Sequence, residues 1–361
     1  MFYSQWLLGL AVIAATFAPS LGMDHDAQEL IDYWTLAMDN SSEPIELLPE
    51  PTSNLRGRSL QTVPVPIGID DWPPLGFAPG KVSKASGRLW MNDGAGTKSF
   101  CTGTAILCGK PGRSLILTAA HCLHSSGEVW FMPGSDDGGT DKTVVGPDPN
   151  ARPTCSDDPY GCWKPNAAYI DSRFFSATGR AKQNYDYAIL VVEDVGRHEE
   201  GRENSDPDLD NAVPAMEVDF TNEIRPTYWV GNPGVNDPHQ KYCAGSTSFL
   251  AGLSQYGVVP CDLTQGASGG PAIADGNSKI YSVISKGTTL GPTHGDLEGQ
   301  TLLRGPKLAR NSLSCLAYEA NKQDLPDSYT LRTVDYENDH DGKPCLSREY
   351  TWGSWGDPVQ L

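Results

Sequence analysis

Gly266-Ala267-Ser268-Gly269-Gly270-Pro271 sets a serine inside a glycine-rich turn. The stretch fits G-x-S-x-G, the strand-to-helix elbow that exposes a nucleophile on an α/β sheet. An esterase of that kind needs alternating strands and helices, with its acid and histidine after the serine. His294 and His340 do follow Ser268, but in polar stretches without pattern. From Gly87 onward the chain instead shows short β-type runs divided by turn residues. Strands are expected near 87–91, 100–107, 114–118, 128–132, 169–175, 187–192, 228–231, 258–261, 271–274 and 280–285. Many short strands without interleaved helices indicate an antiparallel, all-β sandwich or barrel. One late helix is expected over 307–321, where Ala309, Leu313, Leu316 and Ala320 share a face.

Two stretches upstream complete a set of chemical roles. Thr118-Ala119-Ala120-His121-Cys122 follows the apolar run Leu115-Ile116-Leu117, and Asp186-Tyr187-Ala188-Ile189-Leu190 carries an acid into an apolar strand. A serine hydroxyl is a weak nucleophile and needs a base to take its proton. A histidine titrates near neutrality, so it can take that proton and return it to the leaving group. A buried carboxylate fixes the histidine tautomer, and the developing oxyanion needs preorganised N–H donors. Taken singly, a His-Cys pair is ordinarily structural, an Asp before a strand ordinarily a cap, and Ser-Gly-Gly an ordinary loop. Their joint occurrence in the order His, Asp, Ser points to acyl transfer.

At these residues the sequence resembles the trypsin/chymotrypsin-like serine proteases, whose T-A-A-H-C, D-[YI]-A-[IL]-L and G-x-S-G-G-P motifs are all present. Cys101-Thr102-Gly103-Thr104-Ala105-Ile106, Pro159-Tyr160-Gly161-Cys162-Trp163, Tyr242-Cys243-Ala244-Gly245 and the run from Cys261 to Ser268 are similar to the glutamyl-endopeptidase-like and bacterial trypsin-like branch. The resemblance covers roughly 87–321. It implies a double antiparallel β-barrel with the site between the barrels. His121 would be the general base, Asp186 its orienter and Ser268 the nucleophile. The N–H groups of Gly266 and Ser268 would form the oxyanion hole. Ser285-Lys286-Gly287 falls where the family pairs with the extended substrate backbone. Cys101 would pair with Cys122, as in the family. Cys155 with Cys162, Cys243 with Cys261, and Cys315 with Cys345 are further candidate pairs, leaving Cys108 free. Nine cysteines permit many pairings, so this connectivity stays open.

The sequence departs from the family pattern in two places. Ala267 precedes the serine where many trypsin-like enzymes carry an Asp that pairs with a newly cut N-terminus, so that activation switch is not expected here. Asp262 lies six residues before Ser268, where a trypsin-like pocket has its acidic floor. A carboxylate there would take Arg or Lys at P1. The related branch also includes enzymes that cut after Glu, and Asp262 can equally serve a loop.

Composition frames these motifs. The 361 residues carry 45 Asp+Glu against 27 Lys+Arg, a net charge of −18 that repels phosphate backbones, so no nucleic-acid partner is expected. Residues 1–22 read as a signal peptide, with an apolar core at 7–18 and Ser20-Leu21-Gly22 as a small-x-small cleavage site. The core falls short of the roughly 20 residues that span a bilayer, so secretion is expected rather than a membrane anchor. In an oxidising compartment disulfides are the default. Residues 23–85 read as a propeptide or linker with a glycosylation sequon at Asn40, residues 86–321 as the protease domain, and residues 322–361 as a polar tail. No cofactor or metal is implied. Asp136, Asp137 and Asp141 in a glycine-rich loop offer Ca²⁺ ligand types, but a solvated turn accounts for them. The expected partners are polypeptide substrates. The rival from another class is a protein of this fold that binds without turnover, since fold alone does not prove activity.

Overall fold

The computed structural model describes residues 67–68 and 79–349, other than 93–97, 109, 124–126, 135–153, 221–225, 234–239, 247, 251–254, 259–260, 262, 275–278, 290–299, 323 and 336–345. The signal peptide, Asn40, Asp262, Cys345 and the Asp136/Asp137/Asp141 loop lie outside the described residues.

A ten-stranded sheet organises the first half. Its spatial order is Leu346–Glu349, Thr330–Asp335, Ala167–Asp171, Ala188–Glu193, Arg113–Thr118, Lys98–Ile106, Ser86–Asn92, Glu128–Pro133, Cys162–Trp163 and His198–Glu199. The central strands are buried on both faces. Ile116, Leu190 and Val192 point to one core with Leu89, Phe131 and Ile170. Leu115, Leu117, Ile189 and Val191 point to the other, against Val230, Ile273 and Val283 of the second half. Burial on both faces is why these strands read as unbroken apolar runs rather than as alternation.

The second half holds two smaller sheets. One has the order Ile67–Gly68, Lys241–Ser246, Pro226–Gly231, Pro271–Ala274, Ile280–Val283. The other runs Ser248–Leu250, Gln255–Val258, Thr301–Pro306, Lys286–Thr289, which leaves Lys286–Thr289 at an edge. Their shared core contains Trp229, Tyr256 and Tyr281, with Tyr281 edge-on to both other rings at centroid distances of 6.3 and 5.1 Å. The fold is therefore mostly β, with the expected C-terminal helix at Arg310–Lys322, whose Leu313, Leu316 and Ala320 close the inter-sheet core. The strand–helix alternation that the esterase elbow requires is absent from the described residues. Among them no helix is long and apolar enough to cross a membrane.

Several boundaries differ from the sequence reading. The strand expected at 169–175 is Ala167–Asp171, because the Asp171 carboxylate accepts the Arg173 N–H at 2.9 Å and turns the chain into a short helix, Arg173–Ser176. The strand expected at 258–261 lies at Gln255–Val258. The stretch read as a polar tail supplies Thr330–Asp335, which pairs in parallel with Ala167–Asp171. Only Leu331 and Val334 of that strand are buried, a spacing of three that hides it from a search for period-two alternation. At the other boundary, Val82 and Ala85 of the helix Pro79–Ala85 are fully buried, so the folded unit begins before residue 86.

Disulfides join Cys101 to Cys122, Cys155 to Cys162 and Cys243 to Cys261. Cys315 is also disulfide-bonded. Cys108 is a buried free thiol whose pKa burial pushes up to about 12, which keeps it protonated and inert.

Candidate active site

Strand register brings His121 and Asp186 together. Thr118 pairs with Ala188 across the antiparallel strands Arg113–Thr118 and Ala188–Glu193. His121 follows three residues after the first partner, on the single turn Ala120–Cys122, and Asp186 stands two before the second. The Cys101–Cys122 disulfide ties that turn to the neighbouring strand Lys98–Ile106. The His121 ring Nδ1 lies 2.7 Å from Asp186 Oδ2, and the His121 main-chain N–H donates to Oδ1 at 2.8 Å. The Ser285 hydroxyl donates to Oδ2 at 2.5 Å. Asp186 is 2% exposed and is thus held by three hydrogen bonds.

These contacts set the charges. Burial works to raise the Asp186 pKa, but the His121 charge, the ring and main-chain bonds from His121 and the Ser285 hydroxyl hold it below the ordinary carboxylate value. Burial works to lower the His121 pKa, while the Asp186 charge and hydrogen bond prevail and hold it above the ordinary imidazole value. Nδ1 faces the carboxylate, which leaves Nε2 as the nitrogen free to accept a proton.

The serine turn is built on glycines for a steric reason. Gly269 has φ of 82°, and a Cβ there would lie 2.2 Å from Thr118 Oγ1 and 2.3 Å from the Thr102 carbonyl oxygen. Thr102, fully buried on the strand Lys98–Ile106, grips the turn twice. Its N–H donates to the Ser268 carbonyl at 2.7 Å and its hydroxyl donates to the Gly266 carbonyl at 2.9 Å. The same hydroxyl accepts the Asn232 N–H at 2.9 Å. Within the turn, the N–H groups of Ala267, Gly269 and Gly270 donate to the carbonyls of Thr264, Ile284 and Ala267. Those of Gly266 and Ser268 donate to no backbone carbonyl among the described residues. Ala267 is 1% exposed and packs against Gly231, where an added Cβ would lie 2.6 Å from the Ala267 Cβ.

His121, Asp186, Ser268 and Gly266 line one cavity of about 680 Å³ with Ser285 and Gly287. Its apolar wall is Leu263, Ile284 and Leu303, all at least nine-tenths buried. Asp262, the candidate floor of the specificity pocket, is outside the described residues. Cys101, His121 and Cys122 lie close enough to hold a metal ion, within 4.8 Å of one another, but both sulfurs are committed to a disulfide and Nδ1 to Asp186. That donor set does not suit a metal. Sequence reasoning placed Ser285 in the substrate-pairing segment and missed its side-chain bond to Asp186. It also missed Thr102, whose C-T-G-T motif marked the position without showing what it grips.

Comparison with family models matches residues 103–280 to the trypsin-like peptidase domain. Comparison with curated protein sequences finds no match. Among solved structures, the protease Anisep from Arthrobacter nicotinovorans aligns at 20% identity and TM-score 0.48, over 67% of this chain and 98% of its own. A thermostable serine protease, AL20, from an extremophilic microorganism aligns at 17% identity and TM-score 0.47, over 67% and 99%. A Glu endopeptidase aligns at 18% identity and TM-score 0.44, over 69% and 96%.

Proposed function

Residues 103–280 belong to the trypsin-like peptidase family, and from that premise we propose that this serine endopeptidase is secreted and cleaves polypeptides through His121, Asp186 and Ser268. The observation that carries the reading is the doubly hydrogen-bonded His121–Asp186 pair in the cavity that also holds Ser268. Ser268 attacks the scissile carbonyl while His121 Nε2 takes its proton. The tetrahedral oxyanion is received by the N–H groups of Gly266 and Ser268. His121 returns the proton to the leaving amine, an acyl-enzyme forms, and water repeats the sequence. Asp186 stays ionised and stabilises the imidazolium throughout. The substrate backbone adds to the open edge of Lys286–Thr289, as an extra strand.

Secretion rests on the apolar leader together with the disulfides. Maturation is read as a cut near Arg56-Gly57-Arg58, which spares the buried helix Pro79–Ala85. At P1 the reading is Arg or Lys, on the position of Asp262, with Glu as the alternative.

Fluorophosphonate labelling tests the whole assignment. The wild-type protein, cut if necessary near residues 56–58, is expected to label, and Ser268→Ala is not. Cleavage-site profiling with a peptide library then reads P1, and a profile without Arg or Lys would remove the Asp262 pocket. Absence of labelling in the cut wild type would leave a fold that binds without turnover.

The charge state of His121 gives a pH prediction. Only neutral His121 accepts the serine proton, and its pKa is raised above the ordinary value of 6.5. Activity is therefore retained at alkaline pH and lost as pH falls through a midpoint above 6.5. A kcat/KM profile whose acid limb falls below that value would contradict the His121–Asp186 coupling.

A further inference from the structure

The chain carries 45 acidic against 27 basic residues, yet beside the cleft stand four cations that no acid among the described residues pairs. Lys286, the first residue of the edge strand, is half-buried and lines the cavity with His121 and Ser268. Arg304 stands directly opposite it in the antiparallel register. Opposed residues project on the same face of a sheet, so Lys286, Thr288 and Arg304 share one face. Arg304 is 8% exposed, donates from Nη2 to the Thr288 hydroxyl at 2.7 Å, and leaves Nε without a partner. Burial and the nearby Arg180 charge depress its pKa, and no carboxylate among the described residues offsets them.

Arg180 and Lys182 come from the short helix Gly179–Lys182 that leads into Asp186. The side-chain amide of Gln255 donates to the Arg180 carbonyl at 3.0 Å and to Asn184 Oδ1 at 2.8 Å, which fastens that segment beside the strand Gln255–Val258. Lys182 Nζ rests 4.4 Å from the centre of the Phe174 ring. The charges of Lys182 and Lys286 both reach His121, where they oppose the pull of Asp186. None of the four cations has an ion-pair partner among the described residues. A buried guanidinium without an anion is costly, and here the missing anion has a place beside the strand on which the proposed substrate lies.

We propose that Arg180, Lys182, Lys286 and Arg304 form an acid-selective subsite, which takes an Asp or Glu side chain two to four residues before the scissile bond of the bound polypeptide. The range follows from geometry: a strand rises about 3.3 Å per residue, so the four residues of Lys286–Thr289 run beside only that many substrate positions. The proposal rests on the endopeptidase reading above. It makes the enzyme a reader of acidic sequence context, whatever residue occupies P1.

The test is a positional peptide library in which Glu or Gln is fixed in turn at each of the four positions before the cut, with the others mixed. Glu is expected to exceed Gln about tenfold in kcat/KM at one or two of the positions P2 to P4. In 1 M salt, where screening acts over about 3 Å, the ratio is expected to shrink to about twofold. The double variant Lys182→Gln/Lys286→Gln is expected to bring the ratio close to one, and does not depend on whether Arg304 tolerates substitution. Equal rates for Glu and Gln, a preference confined to P1, or a preference that survives the double variant would overturn the subsite while Ser268 labelling still upheld the peptidase. Loss of both cleavage and labelling would overturn the peptidase reading, and the subsite with it.

Discussion

Ser268→Ala is expected to lower kcat/KM on a good peptide substrate by a factor on the order of 10⁵ to 10⁶. The loss is this large because, on the proposed mechanism, nucleophile, base and orienter act as one unit. His121→Ala is expected to cost about as much, and the double variant little more than either alone. Asp186→Asn is expected to cost about 10⁴ in kcat. The carboxylate holds the ring nitrogen at 2.7 Å and the main-chain N–H at 2.8 Å. An amide in its place would turn an N–H toward Nδ1 and stabilise the wrong tautomer. Steady-state assays with an unchanged melting temperature as the folding control would check all three. Ser268→Ala retaining more than about a hundredth of the activity would exclude the serine as nucleophile, since losses of that size follow from removing a single oxyanion donor.

Gly269→Ala is expected to cost about 3 kcal/mol of stability and to lower Tm by roughly 6–12 °C. Part of the cost is the left-handed backbone at φ of 82°, worth about 1 kcal/mol for a residue with a Cβ. The larger part is collision. The added methyl would meet Thr118 Oγ1 at 2.2 Å, the Thr102 carbonyl at 2.3 Å and the Ala119 nitrogen at 2.8 Å. Two of these are main-chain atoms, and the third is a hydroxyl already bonded to Thr102 at 2.8 Å. Gly179→Ala is the control, because its φ of 57° is also left-handed while nothing lies within 4 Å of its Cβ position. A Gly269→Ala Tm no lower than that of Gly179→Ala would mean that the turn yields where it is argued to be fixed.

How much of this was legible in the sequence depended on whether a feature was local. The His121, Asp186 and Ser268 motifs are short, and their joint occurrence in that order marked them as candidates for the site. The all-β class showed itself through turn chemistry and apolar runs. Partners far apart in the chain did not show. The Ser285–Asp186 bond spans 99 residues and the Thr102–Gly266 bond 164, and neither serine nor threonine announces such a contact. Thr330–Asp335 was hidden because its two buried residues are three apart. Lys286–Thr289 did not show in the residue pattern because an edge strand beside a cleft has no apolar face to display; only the family resemblance marked Ser285-Lys286-Gly287 there. The cation cluster escaped because its members come from three separated segments, brought together by the register of Lys286 with Arg304 and by the Gln255 bonds to Arg180 and Asn184.

On the proposed mechanism, the double grip of Thr102 would couple catalysis to assembly. Thr102 belongs to the large sheet, while the carbonyls it holds belong to the turn that carries Ser268, the proposed nucleophile. If the halves part, both bonds break together, and the turn loses its alignment even though each half keeps its own core. Such an arrangement acts as a coincidence detector for tertiary docking. A nascent or partly unfolded chain would present the serine without a geometry able to use it, and destructive chemistry would be withheld until the molecule is whole.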